Sequence, residues 1–115
     1  AVAASNYLVT LEHFALTLLM ETGLTEEKSF EILEPLIQGT LNNIKARGSV
    51  HALTGPVARG DHDIISRHLR DIDDKVPQFS DLYRLLGRHT LDIARARGEM
   101  DQETGGRLAA LFSSP

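Results

Sequence analysis

Thr25-Glu26-Glu27-Lys28-Ser29-Phe30 opens the stretch that decides the fold, which runs on to Lys45-Ala46-Arg47-Gly48. Between those ends, Phe30, Leu33, Ile37, Leu41 and Ile44 recur every three or four residues. That spacing stacks side chains on one face of an α-helix; a half-buried strand would alternate. Thr25 supplies the hydroxyl that accepts a free backbone N–H at a helix start, and Glu26 and Glu27 place negative charge in the positive first turn. Lys45 and Arg47 answer at the far end, where Gly48 marks the stop. Pro35 falls inside and has no N–H to give, so a kink between Glu31 and Pro35 is expected, or a break into two helices there.

Upstream, a first helix is expected from about Ala1 to Thr22. Leu8, Leu11, Ala15, Leu18 and Leu19 keep helical spacing, and Val2, Ala3, Ala4, Val9 and Leu16 widen the apolar face. A helix apolar on most sides belongs at the centre of a domain or an oligomer, so a homodimer is expected. Gly23 is its stop. The chain opens Ala1-Val2-Ala3-Ala4, without Met and already in helical pattern. The expectation is a C-terminal piece of a longer protein.

Downstream, residues 49–53 suit one short helical turn, and Thr54 to Gly60 reads as a loop. Asp61 caps the next helix, with Ile64, Ile65, His68, Leu69 and Ile72 as its buried face and a fraying end at Asp73-Asp74-Lys75. Pro77 fits the first turn of another helix. Phe79, Leu82, Tyr83, Leu86, Ile93 and Ala94 form its stripe, Gly87 weakens its middle, and Gly98 stops it. Asp101 caps a last helix ending near Phe112, and Ser113-Ser114-Pro115 is a frayed tail. No strand pattern and no internal repeat is present. Residues 1–115 read as a single all-α domain, a bundle of about five to six helices.

Composition narrows the function. A 115-residue chain with 42% hydrophobic residues can bury a core without disulfides or metal. The formal net charge of −4 argues against general nucleic-acid binding. The chain has no Cys, hence no thiol nucleophile and no thiolate metal site, which suits the cytoplasm. Asn6, Glu12 and His13 interrupt the apolar N-terminal run, so neither a signal peptide nor a membrane span is expected.

The least ordinary stretch is Leu53-Thr54-Gly55-Pro56-Val57-Ala58-Arg59-Gly60-Asp61. Gly allows close backbone approach, Pro stiffens the chain, and Thr and Arg offer a hydroxyl and a planar cation. Such a segment can line a pocket for an anionic or carbonyl-bearing ligand; equally, it can be an inter-helix connection capped by Asp61. It matches no phosphate-binding glycine fingerprint. Asn6, on an apolar helix, needs partners if buried. Asn43 sits where it could reach the loop, whereas Asn42 fits an exposed face. His62 and His68 are six apart and miss metal-ligand spacing on a helix, so no metal is expected. Arg84, Arg88, Arg95 and Arg97, with His89, are interleaved with Asp81, Asp92 and Glu99, which reads as a solvated, salt-bridged face.

Three stretches together resemble a known family: Ala4-Ser5-Asn6, Gly39-Thr40-Leu41-Asn42-Asn43-Ile44, and Ala52-Leu53-Thr54-Gly55-Pro56-Val57-Ala58-Arg59-Gly60-Asp61, with His68-Leu69 following. The chain resembles, to about Ala96, the helical C-terminal domain of unknown function that follows a Rossmann-like NAD(P)-binding domain in a bacterial protein family. The wider superfamily has the 6-phosphogluconate dehydrogenase C-terminal-like fold. Pyrroline-5-carboxylate reductase and ketopantoate reductase are relatives by architecture. The resemblance implies a substrate-binding and dimerisation domain of an NAD(P)-dependent oxidoreductase, inactive alone. By the same resemblance Asn6, Asn43, Thr54, Gly55, Pro56 and Arg59 would face a small-molecule substrate, while Asp61 and His68 hold the loop. The glycine-rich turn and ribose-binding acid of a nucleotide domain are absent from these residues, so NAD or NADP would bind elsewhere in the full-length protein. The other reading is a non-enzymatic helical interaction module.

Overall fold

The computed structural model describes residues 1–113, whose regular structure is all helical, with no strand among them. The expected tail at Ser114 and Pro115 lies outside the described residues. The helices are α1 (Asn6–Met20), α2 (Glu26–Ala52), α3 (Pro56–Arg59), α4 (His62–Lys75), α5 (Ser80–Ala96) and α6 (Gln102–Ser113), with a 3₁₀ turn at Pro77–Phe79 before α5. The chain divides into two compact units, Ala1–Asn42 and Asn43–Pro115.

Helix ends fall largely where their chemistry places them. Thr25 Oγ1 accepts from Lys28 N (3.2 Å), Asp61 Oδ1 from Ile64 N (3.2 Å) and Asp101 Oδ1 from Thr104 N (2.7 Å). Three expectations need correction. The first helix starts at Asn6, not at about Ala1, with turns before it. α2 does not break at Pro35; its only non-helical residue is Gly48, at φ 78° and ψ 168°, which separates the last short turn. Glu31 and Pro35 are both exposed, so water can satisfy the carbonyl that Pro35 leaves free. The expected loop from Thr54 to Gly60 contains α3, begun by Pro56 at its first turn.

In the first unit, Phe14 is the buried residue of α1 and Ser29 that of α2. The second unit holds the core. Ile65 and Leu69 from α4, Leu91 from α5, and Leu108 and Phe112 from α6 form one buried cluster. Val57 of α3, Tyr83 and Met100 pack around it.

Gly87, expected to weaken α5, has a packing role. A Cβ there would overlap the ring of Phe112, so the missing side chain is what admits the ring against α5. Arg84 also departs from the expected solvated face, whereas Arg88, His89 and Arg95 are exposed. Arg84 is 7% exposed and bonds Asp73 of α4 through both carboxylate oxygens, at 3.0 and 2.8 Å. Ser80 joins the same cluster, bonding Asp73 and Arg84. Arg88 donates to the carbonyl of Phe112 (2.7 Å) and Arg97 to that of Leu53 (2.7 Å). Far from fraying, the end of α4 is clamped to α5. The fork-shaped guanidinium matches a carboxylate with two parallel bonds, which fixes direction as well as distance.

Gly87→Ala should destabilise the second unit by about 1–3 kcal/mol through overpacking, despite a helix-propensity gain of about 1 kcal/mol; a raised midpoint in urea unfolding would contradict this. The bonds from Arg84, and then from Ser80, hold the Asp73 carboxyl at about 2, below its ordinary 3.8. A depressed folded-state value adds stability above pH 3.8 that disappears as pH falls toward 2. The stability gap between wild type and Asp73→Asn should therefore be widest above pH 4 and close as pH approaches 2, read from urea melts across that range.

Candidate functional site

The segment singled out in the sequence has a defined geometry. Gly55 precedes α3 at φ 93°, and Arg59 N donates back to its carbonyl (3.1 Å). At the other end Gly60 adopts a left-handed φ of 68°. Its N–H reaches Val57 O (3.1 Å), and Asp61 N reaches Pro56 O (2.8 Å), closing the turn. A Cβ on Gly60 would stand 2.5 Å from Thr104 Cγ2, so both the backbone angle and the approach of α6 call for glycine. Asp61 then caps α4, so it supports this turn from its carboxy-terminal side.

Arg59 is exposed and borders a hollow of about 150 Å³ with Ala58, Gly60, Glu99, Met100, Asp101 and Thr104. The hollow is polar. Bonds from Thr104, its backbone N–H foremost, hold the Asp101 carboxyl below its ordinary value. Glu99, Asp101 and Thr104 were not expected beside Arg59. They lie 40 or more residues away, and only the packing of α6 brings them there.

Thr54, Gly55, Pro56 and Arg59 thus share one short segment. Asn43 is exposed on α2 in the same unit, and Asn6 is exposed at the start of α1, in the first unit. Asn6 therefore needs no protein partner for its amide. His68 is exposed where a buried position was expected, and its Nδ1 lies 3.1 Å from the Tyr83 hydroxyl. The rings meet edge to face, with centroids 6.2 Å apart. Burial pushes the Tyr83 hydroxyl up to about 12, so it stays protonated at neutral pH.

A second concavity lies in the first unit. An open groove of about 400 Å³ runs between α1 and α2. Leu8, Val9, Glu12, His13 and Leu16 line it from α1, and Glu26, Phe30 and Ile37 from α2. Burial pushes the Glu12 carboxyl above its ordinary value. The stripe of α2 and the apolar breadth of α1 signalled these walls, but not that they face a gap. Among the described residues, no group of three or more His, Asp or Glu could hold a metal ion, and no helix is long and apolar enough to cross a membrane.

These features define an all-helical domain with a rigid Gly-Pro-Arg turn in one unit and an open apolar groove in the other. The chain belongs to the family described as Domain of unknown function (DUF2520), whose profile matches residues 1–90. The match includes all three stretches on which the resemblance rests. No curated protein and no solved structure matches the chain.

Asp61→Ala should cost about 1 kcal/mol of stability by removing the α4 cap, whereas Asp61→Asn, which can also accept from Ile64 N, should cost much less. Equal losses in thermal melts would show that the carboxylate acts otherwise.

Proposed function

We propose that this chain is the substrate-binding and dimerisation domain of an NAD(P)-dependent oxidoreductase, with the nucleotide held by a Rossmann-like domain outside these residues. The fold would then be of the 6-phosphogluconate dehydrogenase C-terminal-like kind, in a cytoplasmic bacterial protein. The observation that carries the reading is the turn at Thr54 to Asp61. It presents Thr54 and Arg59 exposed on a backbone that three bonds and a helix cap hold in place. A guanidinium carried on a preorganised backbone suits a carboxylate-bearing substrate, because the ordering cost of the turn is met before binding. The hydride chemistry would be the cofactor's; this domain would orient the substrate and exclude water around it.

The exposed apolar surface of the first unit favours a second reading. A helical module that only mediates protein association would show the same surface and would need no polar turn. The two readings part on ligand binding.

Arg59→Ala in the full-length protein should weaken substrate binding tenfold or more, since a charge-assisted bond contributes about 1.5–3 kcal/mol. It should move stability by less than about 0.5 kcal/mol, as expected for an exposed side chain. Titration of NADH and NADPH into the same protein gives the companion measurement. Absence of nucleotide binding, or unchanged substrate affinity with a large loss of stability, would overturn the enzymatic reading.

A further inference from the structure

We infer that the hollow beside Arg59 binds the head group of a small zwitterion, an α-amino acid, with its carboxylate on the Arg59 guanidinium and its ammonium on Glu99 and Asp101. This rests on the proposed reading of Arg59 as a carboxylate-binding residue and adds the class of substrate.

The first observation is charge. Arg59, Glu99 and Asp101 border one hollow, and all are exposed. Among the described residues the ion pairs are Lys28–Glu31, His62–Asp63 and Arg84–Asp73, so none joins Arg59 to either carboxylate. Opposite charges share a small space without neutralising one another. Two carboxylates against one guanidinium also leave a negative surplus. A simple anion at Arg59 is opposed by both carboxylates, and a simple cation by Arg59. A molecule that carries both charges meets a partner for each.

The second observation is bonding capacity. Asp101 Oδ1 accepts from Thr104 N (2.7 Å), and the Thr104 side chain adds a second bond. A carboxylate offers about four acceptor positions, so Asp101 keeps room for an ammonium N–H. The bonds from Thr104 hold its carboxyl below the ordinary value, which keeps it ionised at neutral pH. Arg59 brings a planar fork that matches a carboxylate, and an ammonium brings three donors to the acidic side.

The third observation is size and rigidity. The hollow has a volume of about 150 Å³. Water takes about 30 Å³ a molecule in the liquid, so the space equals about five waters. An ammonium, an α-carbon and a carboxylate fill that much, which leaves the ligand's side chain to other parts of the full-length protein. The walls are fixed beforehand. Gly60 holds a left-handed turn against Thr104, Asp101 caps α6, and Met100 packs on the core cluster. Little ordering cost then falls on binding.

The two halves of the hollow differ in origin. Arg59 lies within residues 1–90, which the family profile matches, whereas Glu99, Asp101 and Thr104 lie beyond them. The ammonium-binding half is this chain's own addition to the matched segment.

The test uses the full-length protein and three probes: L-alanine, and propionate and ethylammonium, which each lack one of its charges. Amide NMR shifts of Gly60, Met100 and Thr104 follow each titration. L-Alanine should shift them saturably and bind roughly tenfold or more tightly than either single ion, as a charge-assisted bond is lost with each. Glu99→Gln, at an exposed position, should weaken L-alanine several-fold and tighten propionate, because it removes a charge that repels an anion. A merely structural role for Glu99 would move both ligands in one direction. Amides that stay unshifted at high millimolar L-alanine, propionate that binds as tightly as L-alanine, or a Glu99→Gln protein that changes alike toward both overturns the zwitterion site. NADH or NADPH binding beside such a result leaves the oxidoreductase reading standing with another substrate. Saturable L-alanine binding without nucleotide binding supports the site and overturns the oxidoreductase reading instead.

Discussion

Phe112 lies with its ring over Gly87, and the packing of the second unit follows from that contact. The ring is fully buried and belongs to the cluster that joins α4, α5 and α6. It can enter because α5 has no Cβ at this level. The same residue's carbonyl takes the bond from Arg88, and its ring meets Tyr83, with centroids 6.3 Å apart. Tyr83 in turn reaches His68. One aromatic side chain therefore ties the end of α6 to α5, and through Tyr83 to α4. Interiors are packed as densely as organic crystals, so a single missing methyl position can decide how two helices lie.

The two units meet different physical demands. The second encloses its apolar stripes, buries Arg84 against Asp73, and bonds Arg88 and Arg97 to two carbonyls. The first leaves most of its large apolar side chains in water. Hydrophobic burial is the main favourable term in folding, and this unit leaves much of it unused within one chain. Dimerisation, part of the proposed function, would cover that surface.

The turn that carries Arg59 shows how far residue types alone lead. Gly, Pro, Arg and Asp in that order pointed to a stiff connection with a cap, and Asp61 is that cap. The helical turn inside it was missed because four residues are too few to show a period. The hollow beside Arg59 was missed because Thr104 and Asp101 belong to another helix. His68 was read as buried because it falls on the apolar stripe of α4, yet it lies exposed near the Tyr83 hydroxyl.

What the sequence alone determined was local: the all-helical class, most helix limits, and the cap residues Thr25, Asp61 and Asp101. Period and capping act within three or four residues, so they are written in neighbouring letters. Only tertiary structure decided that Pro35 leaves α2 continuous, that Arg84 is buried against Asp73, that Gly87 makes room for Phe112, and that α1 and α2 enclose an open groove. Each depends on what lies across a gap in space, and a one-dimensional period says which face is apolar without saying what covers it.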